Sequence, residues 1–455
     1  MASTATAMAS DPPMGPTPFD LEAYIGRYPA GSESRLQRLL FIARKTQDHS
    51  ELTKQAYVLA ERHMRENLNV RCYKDVFGDN TNKGEIVYDA AWVQETELNS
   101  QTSMETLEAR LSAAQAHLQK EAIRTAYLAI GEFARQRGDL QQALRAVMRS
   151  RDYCTNRSQT AHVCLLIIEL AMDTKNYPQV HDYVAKAEHS TIPGDTTFPL
   201  KLRVASGAAN LAQGKFKEAA GQLTSIPNQE SISGDTVVSP EDIAQYGTLC
   251  GLASLGRNEL QRLLDTQASG FLDLVPPLRD ALQRYCRADY PGCLRILQEL
   301  YPSLQLDMIL APHLDKLSET IMHKCCIEYL KPYRKVNLAQ MATIFSIPVE
   351  RLIEMLATLI GSGRIPNARI DCLSQTLERL SEDAILHRRQ HDTKKRILAM
   401  EQSILNDAHA MMVRVACMEN EGTRKSHFVD YMDSDDDDGD EPMELVAAGN
   451  PEDVY

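Results

Sequence analysis

The densest clustering of groups able to do chemistry is HRRQH, where His387 and His391 stand one helical turn apart. Histidines at this spacing can give zinc two ligands. A hydrolytic site also needs a third ligand and a general-base carboxylate between the histidines, and Arg388, Arg389 and Gln390 supply neither. The pair therefore reads as part of a solvated helical face. GAANLAQGK, residues 207–215, has the outline of a phosphate loop, but six residues separate its glycines instead of four. Phe216 also stands where a magnesium-binding Ser or Thr is needed, so the stretch reads as a turn. No GxSxG elbow, Cys-His pair or dinucleotide fingerprint occurs. We expect no catalysis by this chain, and no metal or cofactor.

The elements that position such groups are clearest in VNLAQMATIFSIPVERLIEMLATLIGSGRIPNARID, residues 336–371. Asn337 can cap a helix from Leu338, with Gln340 reaching back in a capping box, while Met341, Ile344 and Phe345 form a buried face. Ser346 and Pro348 break that helix. Leu352, Ile353, Leu356, Leu359 and Ile360 recur at helical spacing, and Gly361 and Gly363 end the second helix before a β-hairpin. Helix, turn, helix and hairpin make a winged helix. A DNA reader would carry Arg, Lys, Asn or Gln toward base edges, and this second helix offers Glu350, Arg351 and Glu354. Carboxylates there repel phosphate, which argues against nucleic acid as a partner and for protein docking. The strand expected over residues 363–370, with Ile365, Ala368 and Ile370, would leave an open edge for another strand.

The net charge of −13 is concentrated in residues 430–455, which hold eleven carboxylates and no Lys or Arg, so the rest is nearly neutral. This leaves no footprint for a membrane or nucleic acid. Arg388, Arg389, Lys394, Lys395 and Arg396 form the one dense positive cluster, read as a solvated helical face or a docking site for an acidic partner. The acidic run from Ser434 to Glu441 reads as a solubilising tail, and Ser434 before four aspartates resembles an acidophilic kinase site. Ten scattered cysteines without a CxxC pair read as reduced core thiols of an intracellular protein. With no basic residue before Arg27 and no apolar h-region, the N-terminus does not read as a signal peptide. VCLLIIELAM contains Glu169 and is about half the roughly 20 residues that span a bilayer, so it reads as a buried helix.

Only 6% of residues are aromatic, which favours a mainly α protein. Order is expected from FDLEAYIGRY, followed by helices in RLQRLLFIARKT and ELTKQAYVLAERHMREN, a polar loop, and a long helix over residues 104–119. ARQRGDLQQALRAV, MDTKNYPQVHDYV, LAQGKFKEAAGQL, ASLGRNELQRLL and CRADYPGCLRIL each join a polar turn to an amphipathic helix. They lie 37, 39, 42 and 32 residues apart, with Leu140, Tyr177, Phe216 and Tyr290 opening the stronger units and Asn258 the weaker one. This is the pattern of a tetratricopeptide-like (TPR-like) helical-repeat solenoid. Near the C-terminus, Ile397, Ile404 and Met411 lie seven apart, as do Leu398, Leu405 and Met412, with Ala408 and Val415 between: a heptad stripe suited to a shared bundle.

A helical solenoid joined to a winged helix resembles the PCI-domain proteins of the proteasome lid, signalosome and initiation factor three. FDLEAYI, LLFIA, VYDAAWV, LDMILAPHL and AMMVRVA resemble blocks of the subunit-one family of the COP-nine (constitutive photomorphogenesis) signalosome, over residues 19–418. FDLEAYI and LDMILAPHL are the more specific blocks, and the tail after Glu419 follows no family pattern. The resemblance implies a non-catalytic scaffold supporting removal of Nedd8 from cullins, and so regulation of cullin-RING ubiquitin ligases. Its implied partners are sibling PCI subunits, the metalloprotease subunit and cullin-RING ligases, and its location cytoplasm and nucleus. The metalloprotease subunit's HxH pair is missing here. The bundle positions implied are Ile397, Leu398, Ile404, Leu405, Met411, Met412 and Val415. The expected organisation is a disordered N-terminus (1–18), an N-terminal helical region (19–120), TPR-like repeats (121–300), a winged-helix PCI part (301–380), a bundle helix (381–420) and an acidic disordered tail (421–455). Two other readings stay open: a paralogous PCI subunit of the proteasome lid, and a winged-helix nucleic-acid-binding regulator.

Overall fold

The computed structural model describes residues 19–46, 50–78, 86–190, 197–226, 238–265, 269–379 and 382–429. They fall into two units, divided after Arg379.

The first unit opens with α1 (Leu21–Gly26), α2 (Glu33–Lys45), α3 (Ser50–Glu66), α4 (Val70–Phe77) and α5 (Ala90–Ala116). The long helix expected from residue 104 thus begins fourteen residues earlier, because Asp89 caps it by accepting the Trp92 amide. The repeats follow as α6 (Lys120–Gln136), α7 (Leu140–Arg151), α8 (Arg157–Asp173), α9 (Tyr177–Glu188), α10 (Thr197–Ala212), α11 (Phe216–Leu223), α12 (Pro240–Ser254), α13 (Arg257–Asp265), α14 (Ser269–Leu272), α15 (Pro276–Cys286) and α16 (Tyr290–Leu304). VCLLIIELAM lies in α8.

The turns repeat one design. At Leu68, Leu118, Gly138, Lys175, Gly214 and Ala288 the backbone enters positive φ, and the next residue bonds back to the carbonyl five positions earlier. That same residue then begins the following helix; Asn69, Asp139, Asn176 and Asp289 do so with a side-chain cap. Leu140, Tyr177, Phe216 and Tyr290 are the first residues of their helices. Ending one helix and capping the next in two residues fixes the hairpin angle, so successive pairs stack.

A single-turn 3₁₀ helix (Ala311–His313) and α17 (Leu314–Leu330) lead to the winged helix: β1 (Lys335–Asn337), α18 (Leu338–Phe345), α19 (Val349–Gly361), β2 (Ala368–Asp371) and β3 (Thr376–Arg379). Asn337 caps α18 through the amides of Ala339 and Gln340. Ser346 ends it in the left-handed region, Pro348 precedes α19, and Gly363 follows at φ 73°. The strands order β1-β3-β2, all antiparallel, with Ile370 opposite Leu377. The strand expected from residue 363 starts only at Ala368, because the chain after α19 bonds back to Leu359 and turns again at Asn367, φ 60°.

One apolar core runs from Ala134 through the repeats into the winged helix at Leu377. A second is built from residues of α1 to α5, and Leu306 joins it from the far end of the repeats. Cysteines 164, 250, 293, 325 and 326 are buried, but Cys372 and Cys417 are exposed, so the ten are not all core thiols. Among the described residues no helix is long and apolar enough to cross a membrane.

The second unit is α20 (Glu382–Val429), 48 residues long. Every residue from Leu386 to Met418 is exposed.

Candidate functional site: a buried clasp and an open strand edge

Arg38 projects from α2 among Leu36, Leu39 and Ile42 and is completely buried. Its Nη1 donates to Asp307 Oδ2 at 2.8 Å and to Tyr24 Oη at 2.9 Å, and its Nη2 lies 3.4 Å from Asp242 Oδ2. Its guanidinium sits over the Tyr28 ring. Asp307 also accepts from Tyr246 at 2.8 Å, Tyr24 at 3.2 Å and the amides of Ile309 and Leu310 at 2.9 Å. Asp242 accepts from Tyr28 and, at 3.3 Å, from the Ser239 amide.

Electrostatics explain why these groups stay together. Burial pushes the Asp242 carboxyl up, against the pull of Arg38, with Asp307 adding to the rise. Burial works against the charge on Arg38, and Tyr246 and Asp307 more than restore it. The phenols of Tyr24, Tyr28 and Tyr246 are all pushed up, first by burial, so they remain donors. With both oxygens of Asp307 engaged by five donors and the Arg38 side chain completely buried, the cluster is a clasp between distant segments.

The clasp joins the two sequence blocks singled out above, since Tyr24 lies in FDLEAYI and Asp307 in LDMILAPHL. The latter block reaches further. Leu306 enters the N-terminal core, and His313 Nε2 sits 2.9 Å from the Ala212 carbonyl at the end of α10. Gln37 of α2 adds a bond to the Asp173 carbonyl at the end of α8, 3.0 Å.

In the winged helix, α19 exposes Glu350, Arg351 and Glu354 as expected. Ile365 and Ala368 turn their side chains inward and Ile370 is half-buried. What remains open is backbone. The Arg379 amide bonds to Arg334 beside β1, and strand groups alternate sides, so Glu378 and Thr376 face β2 and pair with Arg369 and Asp371. The amides of Ala368 and Ile370 therefore point away from β3, along the open edge.

On α20, Ile397, Leu398, Ile404, Leu405, Met411, Met412 and Val415 are each 50–69% exposed. His387 and His391 are exposed one turn apart, and among the described residues no group of three His, Cys, Asp or Glu is placed to hold a metal. Ser434, the acidic run and residues 1–18 lie outside the described residues. The sequence reading missed Arg38 and Asp242. A cation inside the apolar face of RLQRLLFIARKT was the signal, and the lone Asp307 inside LDMILAPHL was its counterpart.

Residues 297–379 match the family model described as PCI domain, and residues 89–263 the one described as 26S proteasome subunit RPN7. The chain is 32% identical to COP9 signalosome complex subunit 1 of Arabidopsis thaliana, over 89% of this chain and 91% of that protein. It is 30% identical to COP9 signalosome complex subunit 1b of Drosophila melanogaster, over 74% and 65%. The 26S proteasome non-ATPase regulatory subunit 6 of Dictyostelium discoideum is more distant, 21% identical over 66% and 78%.

Proposed function

The chain belongs to the family of COP9 signalosome complex subunit 1, and on that premise we propose that it is a non-catalytic scaffold of a signalosome, supporting deneddylation of cullins by the assembly. The observation that carries this reading is the identity spanning 91% of the Arabidopsis relative, against the weaker match to a proteasome subunit. Two surfaces suit assembly: the open edge of β2 for sibling winged helices, and the exposed stripe of α20 for a bundle with their helices. The metalloprotease subunit and cullin-RING ligases are its proposed further partners, and cytoplasm and nucleus its proposed location.

Mass spectrometry of what co-purifies with the endogenous chain tests the reading. Sibling PCI subunits and a metalloprotease subunit are expected, while proteasomal ATPases would select the lid instead. Imaging of the endogenous chain tests the location, with signal expected in both compartments.

A further inference from the structure

The basic cluster of α20 is absorbed by neither the clasp nor the two assembly surfaces. Within residues 387–396, five Arg and Lys stand against one carboxylate, Asp392, and all are exposed. Some exposed cations elsewhere have carboxylates in contact, as in Arg62 with Glu66 at 3.0 Å, Lys74 with Glu97 at 2.6 Å and Lys335 with Glu378 at 2.6 Å. Here the one carboxylate contact among the described residues is His391 with Asp392, at 3.9 Å. At about 100° per residue, Arg388 and Lys395 fall opposite Ile397 and Ile404, while Arg389 and Arg396 fall opposite Leu398 and Leu405. Burying the apolar stripe therefore leaves this basic face outward, and either surface can be engaged without the other.

The chain's own dense acidic run, Ser434 to Glu441, is too far away to cover it in cis, and the carboxylates after it, Glu444, Glu452 and Asp453, are sparse. Arg396 lies about 50 Å of helix before Val429, while the residues from Val429 to Glu441 extend at most roughly 42 Å. Duplex nucleic acid is the other polyanion, but the helix presents one face of four cations with Asp392 among them, which favours a short acidic ligand over a long phosphate track. We propose that residues 388–396 form a docking face for an acidic polypeptide segment of another chain in the assembly, held by Arg388, Arg389, Lys395 and Arg396.

Carbodiimide coupling of the purified native assembly tests this, because it joins a lysine to a carboxylate only where the two are already in contact. Lys394 or Lys395 is expected to link to Asp or Glu of a different polypeptide. Links confined to this chain, no links at these lysines, or links that appear only after nuclease treatment would overturn the proposal. As a second measurement, the variant with Arg388, Arg389, Lys395 and Arg396 each changed to Glu should associate at least roughly tenfold more slowly than wild type at low ionic strength and converge with it at high salt. Equal association at low salt would also overturn the proposal. A loss of association that persists unchanged at high salt would overturn it as well, because the basic face would then not act through charge.

Discussion

Arg38 and Asp307, 269 positions apart in the chain, meet at 2.8 Å with both side chains buried. The contact fastens the N-terminal helices to the segment that leads into the winged helix. On the proposed reading as a scaffold, this connection would hold the helical arm at a set angle to the winged helix.

Arg38→Met is therefore expected to destabilise the chain by roughly 3–5 kcal/mol, since it leaves Asp242 and Asp307 buried without their cation. Tyr24→Phe, which removes its bond to Asp307 and the one it accepts from Arg38 but leaves Arg38 on Asp307, should cost less, roughly 1–2 kcal/mol. Denaturant titrations of the two variants check the ratio. A near-neutral Arg38→Met would mean that the clasp is not structural.

The pH dependence has an identifiable source at Asp173, beside Arg135 at the end of α8. Burial pushes its carboxyl from 3.8 up to about 7, despite Arg135. The folded chain keeps this proton over a window in which the unfolded chain has released it. The contribution is therefore fully present below about pH 4 and is lost as pH rises through 7. Asp173→Asn should remove that slope from a series of thermal melts. His63, pushed down to about 4 by burial and by Arg35, acts oppositely. Its contribution is present above about pH 6.5 and is lost as pH falls through 4, so His63→Gln should flatten the acid side.

Two glycines near Leu223 should respond with opposite sign. A Cβ on Gly247 would meet Leu223 Cβ at 3.5 Å, an ordinary contact, beside a small cavity of about 30 Å³. Gly247→Ala is expected to stabilise by roughly 0.5–1 kcal/mol, because glycine inside a helix is costly. A Cβ on Gly207 would come within 2.7 Å of Leu223 Cγ, so Gly207→Ala should destabilise by roughly 1–3 kcal/mol. Calorimetry of both variants reads the two signs directly.

How legible these features were in the sequence depended on their range. The repeat turns were visible because their causes are local: a left-handed residue, a cap and an apolar first residue lie within three positions, as at Gly138, Asp139 and Leu140. The winged helix was legible for the same reason. The start of β2 was not, since the bonds from Arg364 and Ile365 back to Leu359 replace a strand that alternation alone would allow. The clasp was the least legible, because Arg38, Asp242 and Asp307 have no local reason to be buried. Each becomes intelligible only once the other two are placed beside it.

The open edge of β2 can be tested by removing a donor from it. Proline at 368 would be a poor probe, because it would follow Asn367, whose φ of 60° is incompatible with a residue preceding proline. Ile370→Pro is better placed, since Arg369 is extended and the Ile370 amide is not used by β3. It should weaken association with a sibling winged helix by at least roughly tenfold while the chain stays folded, although loss of the half-buried Ile370 side chain costs some stability. Ile370→Ala, with similar truncation but the donor kept, is the control. Equal binding by the two variants would place the docking surface elsewhere.

The stripe of α20 gives the most direct test of assembly. Leu398 and Leu405 are 50% and 61% exposed, and fully burying each in a bundle would contribute roughly 1.5–3 kcal/mol. Changing both to Glu removes that gain and sets two carboxylates one heptad apart on the apolar side of the helix, where a bundle would have to desolvate them. Because both residues are exposed in the isolated chain, its thermal unfolding should move by no more than about 0.5 kcal/mol. Incorporation into the assembly, read by size-exclusion chromatography with sibling subunits, should be abolished. A large loss of stability with assembly retained would instead show that the stripe is buried within its own chain.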